Sequence, residues 1–382
     1  MLFLDRPYVS DFFLKRVSES GHAALRTPFT EELSRQSGLP LHLVDDAEAE
    51  RRCRAGDRLY SNSENALDWV LAHLGDLPLA GSIRAMKDKA ALRRMMSALA
   101  PDFFFREIPA AELASMDISG WPRPFILKPS VGFFSMGVHT VTNEADWKRA
   151  LEAVERNAGQ GGFPDSVVNQ SRFIAEQYIM GDEYAVDLYF DEQGEPVILN
   201  IFQHRFASFE DVSDRLYVTG EAVIRPNLSR FTDWFRKANA LIGARNFPAH
   251  VELRVDNGQI LPIEFNPMRF AGLCTTDMAA FAFGLNTAET YLDGGRPDFD
   301  SLLAGREGKT YSMILLNRPE GLSPDAALDF ERLAASFQRV LELRKISVPE
   351  LPLFGILFTE TDERQSDELD RILKSDLTEF LR

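Results

Sequence analysis

One stretch of the sequence, HVELRVDNGQILPIEFNP at 250–267, carries side chains that suit metal chemistry. It reads as two strands around a DNGQ turn, so strand alternation places His250, Glu252 and Arg254 on one face. The partner strand offers Glu264 and Asn266 on a common face. Two carboxylates and an amide carbonyl are hard oxygen ligands, which suit Mg²⁺ and, through it, polyphosphate. The polar side of a half-exposed sheet would also explain this pattern.

A second stretch, FILKPSVGFFSMGV at 125–138, places Lys128 after an apolar run and before a loop that carries two glycines. An ordinary surface lysine before a turn explains this stretch when it is taken alone. Two common phosphate-binding loops are absent from the sequence. The P-loop pattern around Lys309 fails because Leu303 stands where its first glycine is required, and G-x-G-x-x-G does not occur.

Three blocks of sequence are expected to position these residues. Residues 1–82 predict a small α/β domain, and residues 83–299 open with IRAMKDKAALRRMMSAL, which suits a helix. The second block continues with a hairpin around DEQGE and a helix in FTDWFRKANALIGA. Residues 300–382 mix strands and helices in TYSMILLN, DAALDFERLAASFQRVLEL, LPLFGILFTE and DELDRILKSDLTEFLR.

Composition restricts the class of protein. The 382 residues suit two or three domains, and 45% hydrophobic content is ample for sizeable cores. The formal charge of −16 argues against a nucleic-acid partner. Cys53 and Cys274 stand far apart, without zinc-ligand spacing. With neither a signal-peptide core nor an apolar run of about 18 residues, we expect a cytoplasmic protein without a membrane partner.

Taken together, the segments resemble the ATP-grasp superfamily over roughly residues 83 to 285, in the family's order. The resemblance implies that Lys89 and Lys128 are the nucleotide lysines and that the loop after Lys128 closes over the phosphates. Glycine there lets backbone N–H groups approach phosphate oxygens. The implied nucleotide-binding residues are Lys89, Lys128, Gly132, Ser135, Gly137, Glu176, Gln177, Tyr178, Ile179 and Glu183, of which Glu176 to Ile179 form the adenine hinge and Glu183 contacts ribose.

The same resemblance implies a metal and catalytic set. Glu252, Glu264 and Asn266 match the family's metal ligands, which would hold two Mg²⁺ ions, with Mn²⁺ as a substitute. Arg269 resembles the arginine near the transferred phosphate, although the family often has arginine directly after N-P and Met268 intervenes here. The catalytic candidates are Lys128, Arg269, Arg254 and His250.

The implied function is an ATP-dependent carboxylate–amine ligase, of amino acid or peptide type, that works through an acyl phosphate and releases ADP and phosphate. Its cofactors are ATP and Mg²⁺, and its partners are a small-molecule carboxylate and an amine. The carboxylase branch, which activates bicarbonate, is an alternative, although no biotinyl M-K-M segment occurs. A noncatalytic ATP-binding sensor or scaffold is another, against which the retained lysines and metal ligands argue.

Substrate contacts are expected between the hinge and the metal strands. His204, Arg205 and Arg215 are candidates for binding a carboxylate. For Arg205, a surface ion pair with Glu210 or Asp211 is the structural alternative. RFAGLCTTD adds candidates beyond the metal ligands in Thr275, Thr276 and Asp277.

The predicted architecture is α/β (α+β). It comprises an N-terminal pre-ATP-grasp, Rossmann-like domain at 1–82, an ATP-grasp domain of two subdomains at 83–299, and a C-terminal α/β segment at 300–382. The last segment either packs on the N-terminal domain or makes a homodimer contact.

Overall fold

The computed structural model describes residues 1–131, 137–157, 169–208, 211, 213–319, 321–323, 325–348, 351–365 and 367–382. The strands are β1 (Leu2–Phe3), β2 (Ala24–Leu25), β3 (Leu43–Val44), β4 (Tyr60–Ser61), β5 (Phe105–Pro109), β6 (Phe125–Val131), β7 (His139–Val141), β8 (Asn169–Gln177), β9 (Asp182–Phe190), β10 (Pro196–Arg205), β11 (Leu216–Thr219), β12 (Phe247–Asp256), β13 (Gln259–Pro267), β14 (Lys309–Asn317), β15 (Arg339–Lys345) and β16 (Leu353–Asp362).

Helices connect many of these strands, in places two or three in succession. They are α1 (Asp11–Ser20), α2 (Pro28–Ser37), α3 (Asp46–Arg54), α4 (Leu67–His73), α5 (Pro78–Lys87), α6 (Lys89–Met96), α7 (Glu144–Asn157), α8 (Glu221–Ile242), α9 (Met278–Phe283), α10 (Thr287–Leu292), α11 (Phe299–Leu303), α12 (Phe330–Ala334) and α13 (Asp367–Lys374). Among the described helices, none is both long enough and apolar enough to cross a membrane.

The N-terminal sheet is parallel and has the strand order β3-β2-β1-β4. After β4 the chain enters a short 3-10 helix at Glu64–Ala66, where the Ser63 side chain caps the backbone N–H of Asn65. This turn points Glu64 out of the N-terminal sheet and towards the rest of the protein, where it lines a cavity described below.

The run IRAMKDKAALRRMMSAL forms two helices, so the prediction of one helix is wrong. Asp88 adopts an extended conformation between α5 and α6, and its carboxylate accepts hydrogen bonds from Ala90 N and Ala91 N. An aspartate that caps the first N–H groups of a helix favours this break. The break places Lys89 at the first position of α6. Helix α5 also crosses the predicted boundary at 82/83.

The small sheet has the antiparallel order β5-β8-β6-β7. Lys128 lies inside β6, opposite Ile174 on β8, and Ile126 lies opposite Glu176. Strand alternation therefore puts Lys128 and Glu176 on one face as diagonal neighbours. The pairing of β6 with β7 ends at Leu127, so Pro129 needs no ladder partner on that side.

The large sheet has the order β13-β12-β9-β10-β11-β14-β16-β15. Its strands β14 to β16 come from the C-terminal segment and extend the sheet beyond β11, so that Tyr217 lies opposite Met313. The predicted hairpin around DEQGE is β9 and β10, and the predicted DNGQ turn joins β12 to β13. Asn257 and Gly258 both have positive φ in that turn, as a tight antiparallel hairpin requires.

The main core lies between the large sheet and α8, which buries Phe231 and Phe235 completely. The segment DAALDFERLAASFQRVLEL holds the short helix α12 and the start of β15. Val340 and Leu343 of β15 pack against the core, and this β-favouring run completes the edge of the large sheet.

Candidate active site

A cavity of about 270 Å³ lies between the small sheet and the large sheet. The predicted nucleotide residues in its wall are Lys89, Lys128, Glu176, Gln177, Tyr178, Ile179 and Glu183. Gly132 and Ser135 lie outside the described residues. Gly137 follows them with φ 71°, and a Cβ there would come within 3.2 Å of the Pro129 ring, so glycine suits this position.

Glu176 is the centre of a buried ion cluster, defined here as the first cluster, together with Arg93 and Lys128. Its carboxylate accepts from Arg93 at 2.7 Å and contacts the Lys128 ammonium group. Burial alone would raise the pKa of Glu176, but the charges of Arg93 and Lys128 outweigh burial and lower that pKa. Arg93 also donates to the Pro262 carbonyl at 2.8 Å and so joins the small sheet to the large sheet.

The hinge is fixed by its own neighbours. Tyr178 N donates to the Pro124 carbonyl at 3.0 Å, and the Gln177 side chain accepts from Phe104 N at 2.9 Å. The Ile179 carbonyl accepts from Arg254 at 2.6 Å. These contacts hold the strand that would face the nucleobase.

Arg254 and His204 lie on either side of Glu183. Arg254 donates to Glu183 at 2.9 Å, and His204 Nδ1 lies 2.8 Å from the same carboxylate. The His204 ring stacks on Tyr217 with centroids 4.1 Å apart. His204 therefore lines the first cavity, beside Glu183, and not the second one, which is described below. Arg254 also lies in the first cavity, where it secures the hinge.

The predicted metal ligands lie where the paired strands predict. Glu252 lies directly opposite Glu264, and His250 lies opposite Asn266. Burial raises the pKa of Glu252 well above its usual range, and the charge of Glu264 raises it further. Lys89 Nζ lies 3.0 Å from Glu264.

This donor set fits Mg²⁺. Like charges on directly opposite positions repel, and a divalent cation between Glu252 and Glu264 would offset that repulsion. The Asn266 amide supplies a neutral oxygen. In the part of the chain that the structure describes, no three His, Cys, Asp or Glu side chains form a metal-binding group. The set therefore depends on Asn266 and on oxygens that a phosphate would bring.

A second cavity, of about 220 Å³, lies on the other side of these carboxylates. Glu252, Glu264 and Asp214 line both cavities. The predicted residues His250, Asn266, Arg269 and Thr275 line the second cavity only. The two cavities are therefore adjacent and share a wall of carboxylates.

Asp187 organises part of the second cavity from behind. It is completely buried and accepts from His250 Nδ1 at 2.7 Å, from Ala271 N at 2.9 Å and from Thr276 Oγ1 at 2.7 Å. These bonds tie β12 to the segment after β13. Sequence reasoning missed Asp187, although a lone acidic residue in the apolar run YAVDLYF is a signal of a buried polar contact.

Two predicted substrate residues lie elsewhere. Arg215 lines neither cavity, and it donates to the Ser375 carbonyl of the C-terminal segment at 2.7 Å. Arg205 lines neither cavity. Glu210 lies outside the described residues, and the Asp211 carboxylate accepts from Ala207 N and Ser213.

Asp277 lies outside both cavities as well. It bonds to Ser10 at 2.6 Å and Arg344 at 2.7 Å, which joins three parts of the chain. Thr276 is likewise held by Asp187 and Thr287. Both were candidates for substrate binding, and the structure gives them internal partners.

Sequence reasoning also missed Glu64. Its carboxylate lines the second cavity and lies between Lys87 and Arg269. No signal in the SNSENALDW run separates it from a surface glutamate, because its partners lie far away in the sequence.

A cavity between two antiparallel sheets, with lysines on one side and paired carboxylates on the other, is the arrangement that the resemblance to the ATP-grasp superfamily predicts. Residues 121–277 match the family model described as the ATP-grasp domain. The resemblance inferred from the sequence is therefore confirmed: the chain contains an ATP-grasp domain, in an α/β protein with the ATP-grasp fold.

Known proteins similar to this chain include ligases. Alanine–anticapsin ligase of Bacillus subtilis (strain 168) is 24% identical over 179 residues, which cover 44% of this chain and 38% of that protein. The match thus spans well under half the length of that relative. An L-amino acid ligase from Bacillus licheniformis has a crystal structure that superposes with a TM-score of 0.69, at 15% identity, covering 100% of this chain and 97% of that one.

Another similar structure contains ligands. The biotin carboxylase domain of Hydrogenobacter thermophilus 2-oxoglutarate carboxylase, in complex with MgADP, ADP and bicarbonate, superposes with a TM-score of 0.63 at 12% identity. The superposition covers 94% of this chain and 86% of that chain. Because these structures are only 15% and 12% identical to this chain, they show its fold and nothing about its activity.

Proposed function

We propose that this protein is an ATP-dependent carboxylate–amine ligase that forms an acyl phosphate and releases ADP and phosphate. One observation carries the proposal: the two cavities share the wall formed by Glu252, Glu264 and Asp214. A phosphoryl donor in the first cavity and a carboxylate in the second would meet at these side chains. The ligases among the similar proteins support this assignment.

The first cavity would hold ATP. Lys89 and Lys128 would contact its phosphate oxygens, and Gln177 to Ile179 would face the base. Arg254 and His204 hold the Glu183 carboxylate, which would accept hydrogen bonds from the ribose hydroxyl groups. The predicted loop residues Gly132, Ser135 and Gly137 would cover the phosphates, and cover of that kind excludes water from a reactive intermediate.

The shared wall would hold two Mg²⁺ ions through Glu252, Glu264 and Asn266. When bound, Mg²⁺ supplies charge that offsets the repulsion between two anionic reactants and stabilises the transferring oxygens. Arg269 would face the same region from the second cavity. His250, held by Asp187, would add a polar contact beside Glu252, from which its Nε2 lies 3.8 Å away.

The reaction balances in two steps. A carboxylate oxygen attacks the γ-phosphorus of ATP, the bond to the bridging oxygen breaks, and ADP leaves. The amine then attacks the acyl carbon, phosphate leaves, and the amine gives up a proton. Binding both reactants against the same wall would make each bimolecular step effectively unimolecular.

The second cavity has an apolar end. Phe202 of β10 and Met313 and Leu315 of β14 line it together with Leu273. Burying an apolar side chain there would contribute roughly 1.5–3 kcal/mol. We therefore include amino acids with apolar side chains among the proposed substrates. Cytoplasmic location and a homodimer stay predictions from the sequence.

The test is release of ADP and phosphate from ATP and Mg²⁺ across a matrix of amino acids, other carboxylates, amines and bicarbonate, alone and in pairs. We expect turnover that needs a carboxylate together with an amine. The variant Glu264→Gln should lower turnover by roughly a hundredfold or more, because metal stabilisation contributes several kcal/mol.

The matched control is Glu195→Gln. Glu195 lies at the surface, in the turn between β9 and β10, and forms an ion pair with Arg236. It should leave turnover unchanged. Turnover with bicarbonate alone would indicate the carboxylase branch instead. Tight ATP binding without turnover on any pair would favour the sensor.

A further inference from the structure

A buried ion cluster that links the N-terminal domain to the rest of the chain borders the second cavity, which Glu64 and Arg269 line. We define the second cluster as Glu64, Lys87 and Arg269. Arg269 donates to Glu64 Oε1 through Nη2 at 2.9 Å and Nε at 3.2 Å, and the Lys87 ammonium group contacts the other carboxylate oxygen. The three side chains are exposed by only 10%, 9% and 15%, respectively.

The backbone before Arg269 is shaped to reach this partner. Met268 adopts a left-handed conformation with φ 66° and is buried. Its N–H donates to the Pro248 carbonyl at 2.9 Å, and its carbonyl accepts from Ser61 N at 2.8 Å. A non-glycine residue in that conformation is uncommon, and the surrounding structure must hold it there. The extra residue between Asn-Pro and Arg269 therefore turns the chain towards the N-terminal domain.

Charge distinguishes Arg269 from the rest of the second cavity. Among the described residues that line this cavity, Arg269 is the only lysine or arginine. The other charged side chains in the wall are carboxylates, namely Glu64, Asp214, Glu252 and Glu264. A substrate carboxylate that enters this cavity has one guanidinium group to approach. The orientation of that group consequently determines where the carboxylate lies.

We propose that Glu64 is a positioning residue that aims Arg269 at the carboxylate substrate, so that the N-terminal domain completes the site. This inference rests on the proposed function. Glu64 fixes one edge of the guanidinium group, and the Phe270 carbonyl accepts from Nη1 at 3.0 Å. The remaining N–H groups are left for an anion. One carboxylate between two cations leaves the second cluster with a net positive charge.

A direct role of Glu64 in binding the ammonium group of a substrate is weaker. Its carboxylate already has two cationic partners, and both of its oxygens are engaged. A third cation would have to displace Lys87 or Arg269. Glu64 is thus better suited to orient Arg269 than to bind the amine.

A double-mutant cycle tests this proposal. Glu64→Gln should lower kcat/KM for the carboxylate roughly a hundredfold, because a small displacement of a substrate-binding group can have that effect. The affinity for ATP should stay within twofold, since Arg269 does not line the first cavity. Once Arg269→Met is present, Glu64→Gln should cause no further loss. Losses that multiply in the double variant would overturn the proposal.

Glu289→Gln is the matched control, because it breaks a contact that attaches the N-terminal region to the rest of the chain but does not orient Arg269. Glu289 of α10 accepts from Arg16 of α1 at 2.7 Å and also joins the N-terminal region to the rest of the chain. It should lower stability with kcat and KM unchanged. If this control lowers kcat/KM as Glu64→Gln does, the effect is one of domain attachment.

Crystal structures of the wild type and Glu64→Gln decide the question without turnover. We expect the Arg269 guanidinium group to leave its wild-type position in the variant. An unmoved guanidinium group would overturn the positioning role. Failure of the proposed function would instead appear as absence of turnover in the wild type, whatever the position of Arg269.

Discussion

The first and second clusters are built alike, since each has one buried glutamate between two cations. Glu176 lies between Arg93 and Lys128 beside the first cavity, and Glu64 lies between Lys87 and Arg269 beside the second cavity. In both, the cations lower the pKa of the glutamate in spite of its burial. Each cavity therefore has a cluster with an excess positive charge, which suits the anionic reactant proposed for it.

The two clusters differ in how the chain assembles them. Lys128 and Glu176 are diagonal neighbours on paired strands, so the fold of the small sheet already brings them together. Glu64 and Arg269 stand 205 residues apart and meet only when the N-terminal domain packs against the large sheet. The Lys128–Glu176 pair of the first cluster thus depends on one sheet, to which α6 adds Arg93, whereas the second cluster depends on the contact between domains.

The largest expected effect is on stability, from breaking the first cluster. Glu176→Gln leaves Arg93 and Lys128 buried without their counter-ion, which should lower the free energy of unfolding by about 3–5 kcal/mol. Urea unfolding of the variant and the wild type measures it.

Glu107→Gln is the control, because Glu107 also contacts two arginines, Arg94 and Arg172, but at the surface. Its cost should stay below about 1 kcal/mol. Equal costs for the two variants would show that burial of the first cluster contributes nothing.

The second cluster should make stability depend on pH. Although burial alone would raise the pKa of Glu64, Arg269 and Lys87 lower it from 4.5 to about 2. The Glu64 carboxylate therefore binds a proton less readily in the folded state than in the unfolded state. The resulting stabilisation, roughly 3 kcal/mol, is complete above about pH 4.5 and is lost as pH falls towards 2.

Urea unfolding of the wild type and Glu64→Gln at pH 7 and pH 3 checks this dependence. The difference in unfolding free energy between the two proteins should be large at pH 7 and should shrink at pH 3. A difference that stays constant across this range would show that the Glu64 charge does not stabilise the fold.

A smaller effect separates the two cavities by ligand. Arg254→Met removes the hydrogen bonds to the Ile179 carbonyl and to Glu183. ATP affinity should weaken about tenfold, which corresponds to about 1.4 kcal/mol. Arg269→Met should leave ATP affinity within twofold. Titration calorimetry with a nonhydrolysable ATP analogue measures both, and a larger loss for Arg269→Met would contradict the division of roles.

The smallest expected effect concerns Arg215. Arg215→Met removes the bond to the Ser375 carbonyl and should lower the free energy of unfolding by about 1 kcal/mol. KM for the carboxylate should not change, because Arg215 lines neither cavity. Steady-state kinetics checks this, and a raised KM with unchanged stability would show that Arg215 contacts the substrate.

Local pattern was sufficient for much of the fold and the site. The DNGQ turn and strand alternation predicted the pairing that brings Glu252 opposite Glu264. The hairpin around DEQGE follows from the same period-2 pattern. These features depend on neighbours in sequence, where turn chemistry and alternation are informative.

Features that depend on distant neighbours were not predicted. Glu64 and Asp187 acquire their roles through partners from other elements. No local pattern reveals Glu64, and the apolar run around Asp187 indicates a buried polar contact without naming its partners. His204 was assigned to substrate because it lies in the segment after the hinge, yet β10 pairs with β9 so that His204 lies opposite Glu183. The break at Asp88 was missed because the alternation of basic and apolar residues on both sides predicted one continuous helix, although Asp88 is a favourable N-cap residue.

The continuity of the large sheet restricts how this protein can be shortened. Strand β14 pairs with β11 along Leu216–Thr219, and its Met313 and Leu315 form part of the wall of the second cavity. A fragment limited to residues 121–277 would expose the backbone of β11 as a bare edge, which favours aggregation. It would also lack Lys89, Arg93 and Glu64. The segment that defines the domain family is therefore not a unit that can be excised, and transplanting this site into another scaffold requires the strands that follow it.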